Sequence, residues 1–153
     1  MSEESTTPDL LELTRRMIEA DTFEEWAMFA EHVFTPNAVW EQHGGNTIEG
    51  RGAIVAFVRD YWSIWDDHHH YVEENVDLGH GVIWGVVREH GRIKDSDAYV
   101  EARWAFVSLL DDGQCVRFAG YTDLDEGRAA AERLADERGR RCRRRTSSYY
   151  VGG

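Results

Sequence analysis

Asp97-Ala-Tyr-Val-Glu-Ala-Arg-Trp-Ala-Phe-Val-Ser-Leu-Leu110, then Asp111-Asp112-Gly113, then Gln114-Cys-Val-Arg-Phe-Ala-Gly-Tyr-Thr122, is the stretch that decides the fold. Two runs rich in aromatic and β-branched residues flank a three-residue turn of the kind that closes a β-hairpin. Upstream, His68 to Leu78 and Gly81 to His90 have the same character, with Gly79 and Gly91 as turn residues. Four long strands in antiparallel meander are therefore expected.

Before His68 the period changes to that of a helix. Pro8 and Asp9 open a pattern with Leu10, Leu13, Thr14 and Met17 on one face. Phe23, Trp26, Ala27 and Ala30 mark a second helix that ends before Pro36. Asn37 to Gln42 reads as a short strand, closed by His43-Gly44-Gly45. A third helix follows Gly50-Arg51-Gly52, with Ile54, Phe57, Val58 and Tyr61 on one face. After the meander an Ala-rich helix runs from about Asp125 to Asp136. Helices clustered ahead of a meander predict an α+β domain: a curved, cone-shaped antiparallel sheet, mixed through its short first strand, packed against three helices. A twisted sheet that curls under helices leaves space between the layers for a small apolar ligand.

Composition bounds the function. The 153 residues suit one domain, and six Trp within 12% aromatic content argue against general disorder. The formal charge of −12 is unevenly spread. Residues 138–153 hold six Arg and no acid, which leaves −18 on residues 1–137. An acidic body repels nucleic acid and anionic membrane. No apolar run approaches the ~18 residues of a membrane span, and Met1 to Leu10 is polar, so no membrane or secretory segment is expected. Cys115 and Cys142 are isolated in sequence and lack metal-type spacing, which suits a reducing cytoplasm. The domain is expected over residues 1–137, with 138–153 a basic, disordered tail.

The element order and local sequence resemble the SnoaL-like, ketosteroid-isomerase-like branch of the nuclear transport factor 2-like superfamily. The resemblance rests on Phe34-Thr-Pro-Asn-Ala-Val-Trp40, Ile48-Glu-Gly-Arg-Gly-Ala-Ile54, Trp104 to Gly113, and Val116 to Ala130 with Tyr121-Thr-Asp123. It spans about Leu10 to Ala135. It implies the cone fold, and leaves the chemistry open, because one fold hosts several enzymes and non-enzymes.

Against that family the known residue sets are broken. Gln42 falls where an isomerase base would stand, with Glu41 on the opposite strand face, and Ala105 falls at a donor position. Gly120 and Trp84 fall where an epoxide hydrolase would carry its acid and Arg-Asp pair. A better partial match is to the dehydratase members, which use a strand His oriented by an Asp from the turn between the first two helices. The resemblance implies His70 as base, Asp21 as its orienter and Trp40 as an apolar wall. Asp21 can equally cap the second helix. Trp40, Gln42, Phe57, Tyr61, Trp84, Val107 and Phe118 are the candidate pocket residues, although aromatics of this kind also build ordinary cores.

His68 and His70 share a strand face but make only half a metal site, so no metal and no other cofactor is expected. Ala102, Trp104 and Phe106 read as an outer sheet face that no helix covers, through which family members commonly pair, so a homodimer is expected. Two functions remain open: acid–base isomerisation, dehydration or cyclisation of a small hydrophobic molecule, or non-catalytic binding and scaffolding in the same pocket.

Overall fold

The hairpin at Asp111-Asp112-Gly113 joins two central strands of a six-stranded sheet in the computed structural model. Backbone is described over residues 6–151 and side chains over residues 10–143. In chain order the elements are α1 (Thr6–Ile18), α2 (Phe23–Val33), β1 (Phe34–Gln42), β2 (Thr47–Glu49), α3 (Arg51–Ser63), β3 (Trp65–Gly79), β4 (Val82–Ile93), β5 (Tyr99–Asp111), β6 (Gln114–Tyr121) and α4 (Leu124–Val151). The sheet order is β2-β1-β6-β5-β4-β3. Only the β1–β6 pair is parallel, which makes this a mixed, curved, unclosed sheet in an α+β fold.

Each strand presents alternate residues to two layers. On the inner face Ile83, Val87, Phe106, Leu110 and Phe118 pack with Leu10 and Met17 of α1, Trp26 and Ala30 of α2, and Ile54 and Val58 of α3. On the outer face Val82, Trp84, Val86, Ala105 and Val107 pack against Ala131 and Ala135 of α4. Trp104 and Phe106 therefore face inward, one register step from the expected outer position. The outer face is not bare. α4 lies across it, closely enough that a Cβ on Gly127 would stand 3.0 Å from Tyr121 Cβ. A second copy using this face would have to seat beside α4.

Several boundaries differ from expectation: β1 begins at Phe34 and not Asn37, and the short β2 is an addition. β3 begins at Trp65 and not His68, so the three-His run lies inside the strand and not at its start. β4 continues through Gly91 to Ile93, and the turn to β5 falls beyond it, with Asp95 at φ 59°. α4 runs on past Asp136 to Val151, through the segment expected to be a disordered tail. Arg is a good helix former, and an Arg140–Asp136 pair one turn apart at 2.9 Å supports the extension. Arg138 also ties α4 to the β3–β4 turn by donating to the His80 carbonyl at 2.6 Å.

Candidate active site

The register of the β3–β4 hairpin assembles the polar cluster. Val76 pairs with Trp84, but an irregularity between Val72 and Glu74 moves the pairing by one residue. His70 consequently faces Glu89, and His68 faces Gly91. Residues two apart share a strand face, and cross-strand partners share it too, so both imidazoles and the Glu89 carboxylate project to the helix side.

There the three side chains converge on one atom. Glu89 Oε2 lies 2.8 Å from His68 Nε2 and 3.1 Å from His70 Nε2, and it accepts a hydrogen bond from the Tyr61 hydroxyl of α3. The side chains are 2%, 9% and 10% exposed for His68, His70 and Glu89, so the cluster is largely cut off from water. Trp65 lies over the His68 ring, and Trp62 and Trp104 flank His70.

The electrostatics follow from this packing. Burial alone would raise the Glu89 carboxyl, but hydrogen bonds from His68, His70 and Tyr61 hold it well below the usual carboxylate range. Burial pulls His68 below the ordinary imidazole value, outweighing the hydrogen bond to Glu89. Burial, with the bond to Glu89 and its charge, pushes the Tyr61 phenol up. Glu89 is thus an anion fed by donors, and each Nε2 that faces it carries a proton. In a neutral ring bonded this way, Nδ1 is the acceptor nitrogen. Among the described residues neither Nδ1 has a hydrogen-bond partner, although both are buried.

A cavity of about 420 Å³ opens beside the cluster, with His70 and Glu89 in its wall. Trp40, Gln42, Phe57, Tyr61 and Phe118 also line it. Trp40 stacks on Phe118 with ring centroids 4.7 Å apart, and Phe118 stacks on Phe106 at 5.0 Å. Gln42 stands exposed at the rim, two residues beyond Trp40 on β1.

The remaining candidates lie elsewhere. Trp84 and Val107 belong to the outer layer under α4, because each is one step out of phase with the inward residues of its strand. Asp21 is exposed at the start of α2, where its backbone amide donates to Glu25 at 3.0 Å and Thr22 provides the side-chain cap. Among the described residues Asp21 makes no bond to His70, whose carboxylate partner is Glu89. Sequence reasoning missed Glu89, His68 as a cluster member, and the Tyr61 hydroxyl as a donor. The signal that could have found Glu89 was the hairpin itself, since folding His68–Leu78 back on Gly81–His90 brings position 70 opposite 89 or 90.

No protein-family model matches the chain, and a search of curated proteins finds no match. Solved structures do match. A candidate SnoaL-like polyketide cyclase from Jannaschia sp. CCS1 superimposes with a TM-score of 0.68 at 18% identity, over 82% of this chain and 93% of that one. A protein of ketosteroid isomerase-like fold from Catenulispora acidiphila DSM 44928, in complex with trimethylamine, gives 0.64 at 14% identity, over 82% and 93%. An LEH-like epoxide hydrolase from M. tuberculosis gives 0.62 at 15% identity, over 83% and 92%. The fold is that of the SnoaL-like and nuclear transport factor 2-like proteins; at these identities the likeness is one of fold.

Proposed function

We propose that the chain is an acid–base catalyst that isomerises, dehydrates or cyclises a small, largely apolar organic molecule held in the inner cavity. His70 is the base and Glu89, not Asp21, its partner. The observation that carries this reading is the 3.1 Å contact between His70 Nε2 and Glu89 Oε2 at the wall of an aromatic-lined cavity.

The chemistry follows from the tautomer. With Nε2–H donated to an anionic carboxylate, the lone pair of His70 sits on Nδ1, which is buried; in this reading the ring turns that nitrogen to the cavity it borders, to accept a proton from a carbon next to a carbonyl. The imidazolium so formed is stabilised by the Glu89 charge beside it. It then returns the proton to another atom of the substrate, or to a departing hydroxyl. Apolar walls at Trp40, Phe57 and Phe118 exclude water, which strengthens that electrostatic coupling and protects a carbanion-like intermediate. Cavities of this size accept molecules of the drug-like range.

Proton abstraction can be detected whatever product the natural substrate would give. Metal-free protein is incubated in D₂O with a panel of cyclic ketones and β-hydroxy ketones, and carbon-bound deuterium is read by NMR. Exchange above buffer, reduced about 10²-fold or more in His70→Gln and Glu89→Gln, is expected for a positioned general base. Binding of panel members or of a co-purifying ligand without exchange would make the protein a binding module and end the catalytic reading.

A further inference from the structure

The cluster that orients His70 has a second property. Its three ligating side chains come from two adjacent strands, and their donor atoms all lie within 4.8 Å of one another. Two imidazole nitrogens and one carboxylate oxygen form a donor set that suits zinc or a neighbouring divalent transition metal, and suits magnesium or calcium poorly.

The spacing is right for an ion. Metal–ligand bonds of about 2.1 Å place neighbouring ligand atoms roughly 3.0 to 3.4 Å apart in octahedral or tetrahedral sites. The observed Nε2–Oε2 separations are 2.8 and 3.1 Å, so an ion in place of the shared protons needs an expansion of only a few tenths of an ångström. One carboxylate oxygen that draws three donors is crowded for hydrogen bonding. With both Nε2 protons lost, each of the three atoms carries a lone pair free to bind an ion.

The surroundings are also those of a metal site. Trp65 stacked on His68 and the Tyr61 hydroxyl on Glu89 hold two of the ligands in place, the role outer-shell groups play. Because His70 and Glu89 border the cavity, an ion has an entry path and a coordination position facing it.

We propose that His68, His70 and Glu89 bind one divalent transition-metal ion, with an open coordination position toward the cavity. The ion uses the atoms that make the acid–base pair, so the two states exclude each other: with metal bound, His70 is a ligand. The site does not rest on the catalytic reading, since deuterium exchange is measured on metal-free protein and metal binding without substrate. Either can fail alone.

Zinc is titrated into chelator-treated full-length protein and followed by calorimetry. One zinc per chain is expected, with affinity falling at least tenfold in His68→Gln and Glu89→Gln and unchanged in His69→Gln, whose side chain is exposed on the other strand face. No binding, or binding that survives both cluster substitutions, overturns the proposal. Should the cluster variants fail to fold, cobalt-loaded native protein decides: paramagnetic shifts on the ring protons of both His68 and His70 support the site, and their absence refutes it.

Discussion

Trp65 lies flat on His68, with ring centroids 4.2 Å apart and planes 7° from parallel. The stack is possible because the residue opposite His68 on β4 is Gly91. A Cβ there would stand 2.8 Å from Trp65 Cε3 and 2.1 Å from the Asp67 carbonyl oxygen, which is backbone and cannot swing away. Gly91→Ala is therefore expected to separate the strands locally, displace Trp65 and cost about 1–3 kcal/mol, the usual penalty of overpacking. Thermal melting and the near-ultraviolet circular dichroism of the tryptophans check this. An unchanged melting temperature would mean that the glycine is dispensable.

The choice of Glu89 over Asp21 as the orienting carboxylate makes a contrast between two isosteric substitutions. In Glu89→Gln the anion that holds both Nε2 protons is gone, so the imidazole ¹⁵N shifts of His68 and His70 should report a changed tautomer balance. Asp21→Asn, at an exposed helix start, should leave those shifts as they are. If Asp21→Asn alters the His70 tautomer and Glu89→Gln does not, the assignment is reversed.

That the sequence points to Asp21 and passes over Glu89 is a matter of register. Periodicity shows four long strands and three helices ahead of them, because aromatic and β-branched runs between Gly and Asp turns leave little choice. It cannot show that the strand pairing slips by one between Val72 and Glu74, and that slip decides whether His70 meets Glu89 or His90. Gly91 reads as a turn because glycine usually marks one, whereas here its missing side chain accommodates Trp65. Phase is lost in the same way for Trp84 and Val107, which α4 covers on the outer face. Trp40, Phe57, Tyr61 and Phe118 need only the inward phase of β1, α3 and β6, and they do line the cavity.

Acid should destabilise the metal-free protein in two stages. The folded-state value of His68 lies below the ordinary 6.5, so as pH falls through 6.5 the unfolded chain takes up the proton first and stability drops. Glu89 is held below its ordinary 4.5, so its contribution is whole above 4.5 and is lost as pH falls further toward the folded value. Melting temperature measured from pH 8 to pH 3 should decline across both windows. His68→Gln should remove the first decline and keep the second. A flat profile between pH 7 and pH 5 in the native protein would contradict a neutral, buried His68.

Trp84 and Trp40 separate the two layers. Trp84 is 3% exposed in the outer cluster, with its indole nitrogen donating to Glu74 at 3.3 Å. Trp84→Phe should lower stability by about 1–3 kcal/mol while leaving the affinity for a neutral apolar dye unchanged. Trp40→Ala removes a cavity wall and should weaken dye binding severalfold. Equal effects of both on the dye would place the ligand somewhere other than the inner cavity.

Cys115 tests how tightly the inner layer is closed. Its thiol is fully buried on β6 and donates to the Arg117 carbonyl at 3.2 Å, while Ser108 of β5 donates to its sulfur at 3.1 Å. Burial pushes the thiol up to about 11, so at neutral pH there is almost no thiolate to react. Modification by iodoacetamide, read by mass spectrometry of the peptide that carries Cys115, should follow global unfolding and appear only in denaturant. Ser108→Ala removes the donor that favours the thiolate but leaves the burial, and should not speed the reaction. Rapid alkylation of Cys115 in the native protein would mean that β5 and β6 part on a local scale, and the inner core could not then keep water from the cavity beside it.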